Sequence, residues 1–263
     1  MKRTLVAAAL ISLTAASANA ASAGATFVVP GASNPFLAGM PSGSTCCSGD
    51  SAPGESPVYA GPAAAGETFT FTNVTGLINT AGGAPNTPPD GAGGPRGGTW
   101  SAEGLSYINN IAGFYKMPGG ALLGVFLGPG LPTSNPAPDE VLNFRDIGVA
   151  RFGMQVGTHF ATLSPDLQQI FFIGDGLTGT GSGSVQTFIA PTGATRLYLG
   201  VADGYGWANN TGAFDVCVNC GSAAERLAGS VVPEPSTWAM MLLGLAGLGY
   251  AALRHSSRRA AVV

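Results

Sequence analysis

The chain has 263 residues, 41 of them glycine and 19 proline, with 45% hydrophobic and only 10% charged side chains. Its net charge of −3 excludes a nucleic-acid-binding surface, which requires a basic face to neutralise phosphates. A glycine- and proline-rich, charge-poor composition points to short strands joined by turns rather than to long helices.

Met1-Lys2-Arg3, an apolar stretch from Leu5 to Leu13 and the small residues Ala18-Asn19-Ala20 have the order of a secretion signal, read over residues 1–20. A signal peptidase is expected to cut there, leaving a mature chain that starts near Ala21. From that point to Val232 there are six basic and thirteen acidic side chains, a balance of −7. Residues 21–62 are rich in Gly, Ser and Pro with little periodicity, and read as an irregular N-terminal arm.

Four cysteines, Cys46, Cys47, Cys217 and Cys220, fall in the exported part, where an oxidising compartment favours disulfides over a zinc site. The simplest arrangement joins one cysteine of each pair to one of the other and clamps the arm to the last strand; the spacing leaves the connectivity open.

Residues 63–220 read as one domain. Glu67-Thr68-Phe69-Thr70-Phe71-Thr72 alternates with period two, the pattern of a half-buried strand. Further strands are expected at Ala121–Leu127, Gln169–Ile173, Val185–Ala190, Arg196–Val201 and Ala213–Val218. An insertion over about 128–168 carries one expected short helix, Pro138–Phe144. The fold class is mainly β, an antiparallel β-sandwich or jelly roll.

No nucleophile elbow, metalloprotease helix or phosphate loop occurs, and His159 is the only histidine between Ala21 and Val232. Asp139-Glu140 reads as a solvated or capping pair rather than a glycosidase dyad. The domain is therefore read as non-catalytic.

The segment Arg196 to Phe214 is the most informative. A strand ends at Asp203, Gly204 and Gly206 loosen a loop, and Asn209-Asn210 open the next strand. Carboxylate, amide and carbonyl oxygens in such a loop suit calcium, which takes six to eight of them. Trp207 and Trp100 are candidates for stacking on a sugar. The hairpin resembles the terminal hairpin of small calcium-dependent galactophilic bacterial lectins, whose order of strands also matches at Gly66-Glu67-Thr68, Gly119 to Gly124 and Phe171 to Gly174. The resemblance implies Ca2+ held by Asp203, Asn209 and Asn210 with a backbone carbonyl from the loop near Thr80, and glycans as partners. Two departures are visible. The loop is one residue shorter than in the lectins, and the segment Asn79–Trp100 lacks their sugar-gripping histidine and glutamine, so galactose specificity does not carry over.

After a linker, 221–231, comes Val232-Pro233-Glu234-Pro235-Ser236-Thr237, an uncharged apolar run expected as a transmembrane helix over 236–253, and Arg254, Arg258 and Arg259. Residues 232–259 resemble the PEP-CTERM sorting tail of Gram-negative exopolysaccharide producers. The resemblance implies an inner-membrane anchor, processing by an exosortase at Val232 to Pro235, and release to the cell surface, outer envelope or matrix. The same tail is also classed as an ice-binding protein C-terminal domain, which describes the segment and predicts no ice binding.

Overall fold

The computed structural model describes residues 24–92, 101–145 and 153–221. The chain divides into a unit ending at Cys220 and a second unit, 221–263. The signal segment, Trp100, the sorting motif Val232 to Pro235 and the apolar run 236–253 lie outside the described residues, among which no helix is long and apolar enough to cross a membrane.

The structure is mainly β, built as several sheets. Its strands are β1 (Ala25–Pro30), β2 (Thr45–Cys46), β3 (Asp50–Ser51), β4 (Val58–Pro62), β5 (Thr68–Phe69), β6 (Phe71–Asn79), β7 (Ser101–Ile108), β8 (Ile111–Pro118) and β9 (Leu122–Leu127). They continue as β10 (Leu142–Asn143), β11 (Met154–Gln155), β12 (Thr162–Leu163), β13 (Ile170–Phe172), β14 (Leu177–Gly179), β15 (Ser182–Val185), β16 (Thr187–Ile189), β17 (Arg196–Val201) and β18 (Thr211–Val218).

Two sheets supply most of the core. One has the order β1-β18-β6 and the other β13-β9-β17-β4, all with antiparallel neighbours. Val29, Phe71, Ile78, Phe214 and Val216 from the first share one apolar cluster with Leu123, Val125, Leu197 and Leu199 from the second. The expectation of an irregular arm over 21–62 is corrected here. β1 pairs with β18 along its whole length, from Ala25 opposite Val218 to Pro30 opposite Ala213, and β4 forms the edge beside β17. Gly, Ser and Pro around these strands conceal them, although Thr-Phe-Val-Val in β1 places Val29 in the core.

β9 is buried at every position, so both faces of its sheet are covered. On one side Phe126 packs on Phe171 and Phe171 on Phe188, each pair with centroids 5.2 Å apart. Gly124 makes room for this stack, since a Cβ there would lie 2.3 Å from Phe171 Cζ. Gly124→Ala is expected to destabilise the domain by about 1–3 kcal/mol through overpacking, as measured by chemical denaturation. The 310 turn Pro35–Leu37, capped by the Asn34 side chain, also packs on β9 and β17.

The insertion contains no helix at Pro138–Phe144. Val141, Leu142, Asn143 and Phe144 are all buried, which an amphipathic helix face would not permit, and β10 instead pairs in parallel with β8 and β11. β12 and β16 are likewise parallel, so the sheets are not uniformly antiparallel.

Candidate functional site

The loop from Ala202 to Asn210 joins β17 to β18, two strands held in neighbouring sheets by the core, and its shape follows from the side chains that tie it down. Asp203 is 3% exposed. Its Oδ1 accepts from the N–H groups of Gly204, at 2.6 Å, and Tyr205, at 3.2 Å, the usual way an aspartate closes a turn. Oδ2 is buried and has no hydrogen-bond partner.

Asn210 has a matching defect. Its Nδ2 donates to Gly31 O at 3.0 Å, which fixes the amide orientation, and leaves Oδ1 buried without a donor. Burial raises the Asp203 carboxyl above its ordinary range; the Asn210 amide and the Tyr205 and Gly204 N–H groups oppose the rise, and the Asp50 charge adds to it. Asp203 Oδ2 and Asn210 Oδ1 are therefore buried acceptors without a well-aligned donor, the Asn210 amide offsetting only part of the burial of Asp203, a state that costs free energy until a proton or a cation supplies the missing partner.

The loop containing Thr80 lies beside the asparagine pair. Asn79 is opposite Thr211 in the ladder, Thr211 Oγ1 donates to Gly83 O at 2.6 Å, and a Cβ on Gly82 would lie 3.4 Å from Asn209 O. Asp203, Asn209, Asn210 and the Thr80 loop are thus brought to one end of the fold, with Asn209 exposed. As a test of fit to calcium, the two orphaned oxygens are of the right chemistry, and Asn209 with loop carbonyls and water is needed to complete six ligands.

Trp207 is corrected as a sugar-stacking residue. It is 1% exposed, its Nε1 donates to Val201 O at 2.8 Å, and Phe36 meets it edge-on at 6.0 Å. The exposed aromatic of this loop is Tyr205, at 76%.

The expected cross-link between the two cysteine pairs is also corrected. The bonds are Cys46–Cys47 and Cys217–Cys220. Cys217 lies opposite Thr26 near one end of β18, whereas the Cys46–Cys47 turn meets the loop at the other end, where Ser48 packs against Gly206. From Thr211 to Cys217 at about 3.3 Å per residue, roughly 20 Å of strand separate them. The β1–β18 ladder does the work expected of a disulfide clamp.

Sequence reading missed Asp50, which is 1% exposed and anchors the loop. Its carboxylate accepts from Trp207 N at 2.9 Å, Ala208 N at 3.1 Å and Asn34 Nδ2 at 2.9 Å. Asn34 also directs its amide at the sulfurs of Cys46 and Cys47. No spacing signal links Asp50 to residues 157 and 158 positions away.

Among known proteins, residues 231–259 match the model of the PEP-CTERM protein-sorting motif. No curated protein and no solved structure matches the chain. The motif implies that the protein is exported, processed by an exosortase and sorted to the cell surface or beyond.

Proposed function

We propose that this is a surface or matrix protein whose non-catalytic β-sandwich holds a calcium ion at the Asp203–Asn210 loop and, through it, engages carbohydrate. The observation that carries the reading is the pair of buried, partnerless oxygens, Asp203 Oδ2 and Asn210 Oδ1. Two sheets sharing one core support the sandwich.

When bound, calcium supplies a positive charge to the carboxylate and open positions for vicinal sugar hydroxyls. Asp203 contributes Oδ2 while its Oδ1 keeps the turn closed, Asn210 contributes Oδ1, and Asn209 and a carbonyl near Thr80 complete the protein's share. Tyr205 offers an exposed ring beside them for a sugar C–H face. With one carboxylate, the affinity is expected on the order of 10⁻⁴–10⁻³ M, the range of extracellular modules.

On a glycan array, binding is expected with calcium and absent with chelator; no binding in either condition would sink the lectin part of the reading. A second reading, a matrix protein without ligand, draws on the turn-closing bonds to Asp203 Oδ1 and on burial that favours the protonated carboxyl. Both readings predict that material recovered from an exosortase-bearing surface lacks Trp238–Val263, which intact-mass measurement checks. A full-length mass there would contradict the processing step.

A further inference from the structure

Cys46 and Cys47 are bonded to each other although they are neighbours in the chain. In the chain-entropy account a disulfide stabilises a fold by closing a loop of the unfolded chain, and the effect grows with the length of that loop. A bond between neighbours closes almost none. What it fixes is local: the small ring contains Cys47 at a φ of 43°, in the left-handed region that a residue with a Cβ seldom adopts.

The bond sits where a local change reaches the Asp203 loop. Cys46 is opposite Asp50 in the β2–β3 hairpin, and Asp50 accepts from Trp207 N at 2.9 Å and from Ala208 N at 3.1 Å. Ser48, one residue beyond the bond, lies so close to the loop that a Cβ on Gly206 would be 3.0 Å from its own Cβ. Asn34 joins the parts. Its Nδ2 donates to Asp50 Oδ2 at 2.9 Å, to Cys46 Sγ at 3.3 Å and to Cys47 Sγ at 3.7 Å. The Cys217–Cys220 turn, by contrast, is tied down by other means as well, since Asn219 N donates to Thr70 O at 2.8 Å and Thr70 N to Asn219 Oδ1 at 2.9 Å.

We propose that Cys46–Cys47 is a thiol-exchange site whose substrate is a dithiol, and that opening it releases the Asp203 loop. Cys46 is 8% exposed and Cys47 is more open, so the incoming thiolate attacks Cys47 Sγ. A bond forms between that sulfur and the dithiol, the Cys46–Cys47 bond breaks, and Cys46 Sγ leaves as a thiolate that then takes a proton from water. The Asn34 amide, nearer to Cys46 than to Cys47, stabilises the leaving charge. The second thiol of the reductant loses its proton and attacks the reductant sulfur held on Cys47, which departs as a thiolate and is protonated in turn. The protein gains two electrons and two protons, and the dithiol ends as a cyclic disulfide. Freed of the ring, Cys47 relaxes to negative φ, and the hairpin moves Asp50 away from Trp207 N and Ala208 N.

Hydrogen exchange on the whole exported chain, in EDTA and with increasing dithiothreitol, tests the proposal, while alkylation and mass analysis of the same samples report which cysteines have opened. With Cys46 and Cys47 reduced, the amides of Trp207 and Ala208 are expected to exchange faster by on the order of tenfold or more while β9 stays protected. Cys46→Ser/Cys47→Ser should exchange at the fast rate without reductant, and Cys217→Ser/Cys220→Ser should respond to reductant like wild type. The proposal is overturned if Cys46–Cys47 stays closed for as long as β9 is protected, or if its opening leaves the two amides as slow as before. A Cys46→Ser/Cys47→Ser variant that exchanges like oxidised wild type would overturn it too. Calcium is absent throughout, so these results are independent of the calcium reading.

Discussion

Asp50→Ala is expected to lower stability by about 2–4 kcal/mol, because it strips a buried carboxylate from two backbone N–H groups and one amide at once. For a domain of this size that corresponds to roughly 5–15 °C in melting temperature. The loss should be accompanied by a red shift of Trp207 emission, since Asp50 is what holds Trp207 N and Ala208 N against the Cys46–Ser51 hairpin. Asp50→Asn should fall between, as it keeps one acceptor but turns an amide N–H toward groups that themselves donate. A variant that melts like wild type would show that the loop is shaped without this anchor.

The second large effect is a crossing of stabilities at Asp203. In chelator at pH 7, Asp203→Asn is expected to be more stable than wild type by on the order of 1–3 kcal/mol, since it removes a buried charge with an unpartnered oxygen. The sign of the pH dependence follows from the raised carboxyl. Its favourable contribution is complete below the ordinary 3.8 and is lost as pH rises through the higher folded-state value, so the advantage of the variant should fade toward pH 4 and below. With calcium at a hundred times its dissociation constant, wild type should gain about 2.7 kcal/mol and the variant nothing. Melting curves at pH 4 and 7, with and without calcium, give all the required values.

Much of this fold could be read from the chain. Continuous apolar runs mark β9 and β17, and Thr-Phe-Thr-Phe marks the entry to β5 and β6, because period-two or fully apolar strands leave a local signal. β1 and β4 leave a poor one, since their stability comes from pairing with β18 and β17 far along the chain. The β7–β8 hairpin carries a local signal in Asn109-Asn110, which, with φ of 55° and 60°, is the two-residue turn with both centres left-handed that hairpins favour.

The site was legible in part for the same reason. Asp203 and the asparagine pair are close in sequence, so their convergence needs only a loop, whereas Asp50 reaches them from across the fold. Trp207 is buried although the glycines before it suggest a loose loop, because its indole N–H finds Val201 O and its ring meets Phe36 edge-on.

Under the proposed function, Asp203 Oδ2 and Asn210 Oδ1 bind a calcium ion. Calorimetric titration of calcium into the purified chain decides this. A single site on the order of 10⁻⁴–10⁻³ M that disappears in Asp203→Ala is the predicted result. A flat titration of the wild type, or an Asp203→Ala variant that binds as tightly, would contradict it.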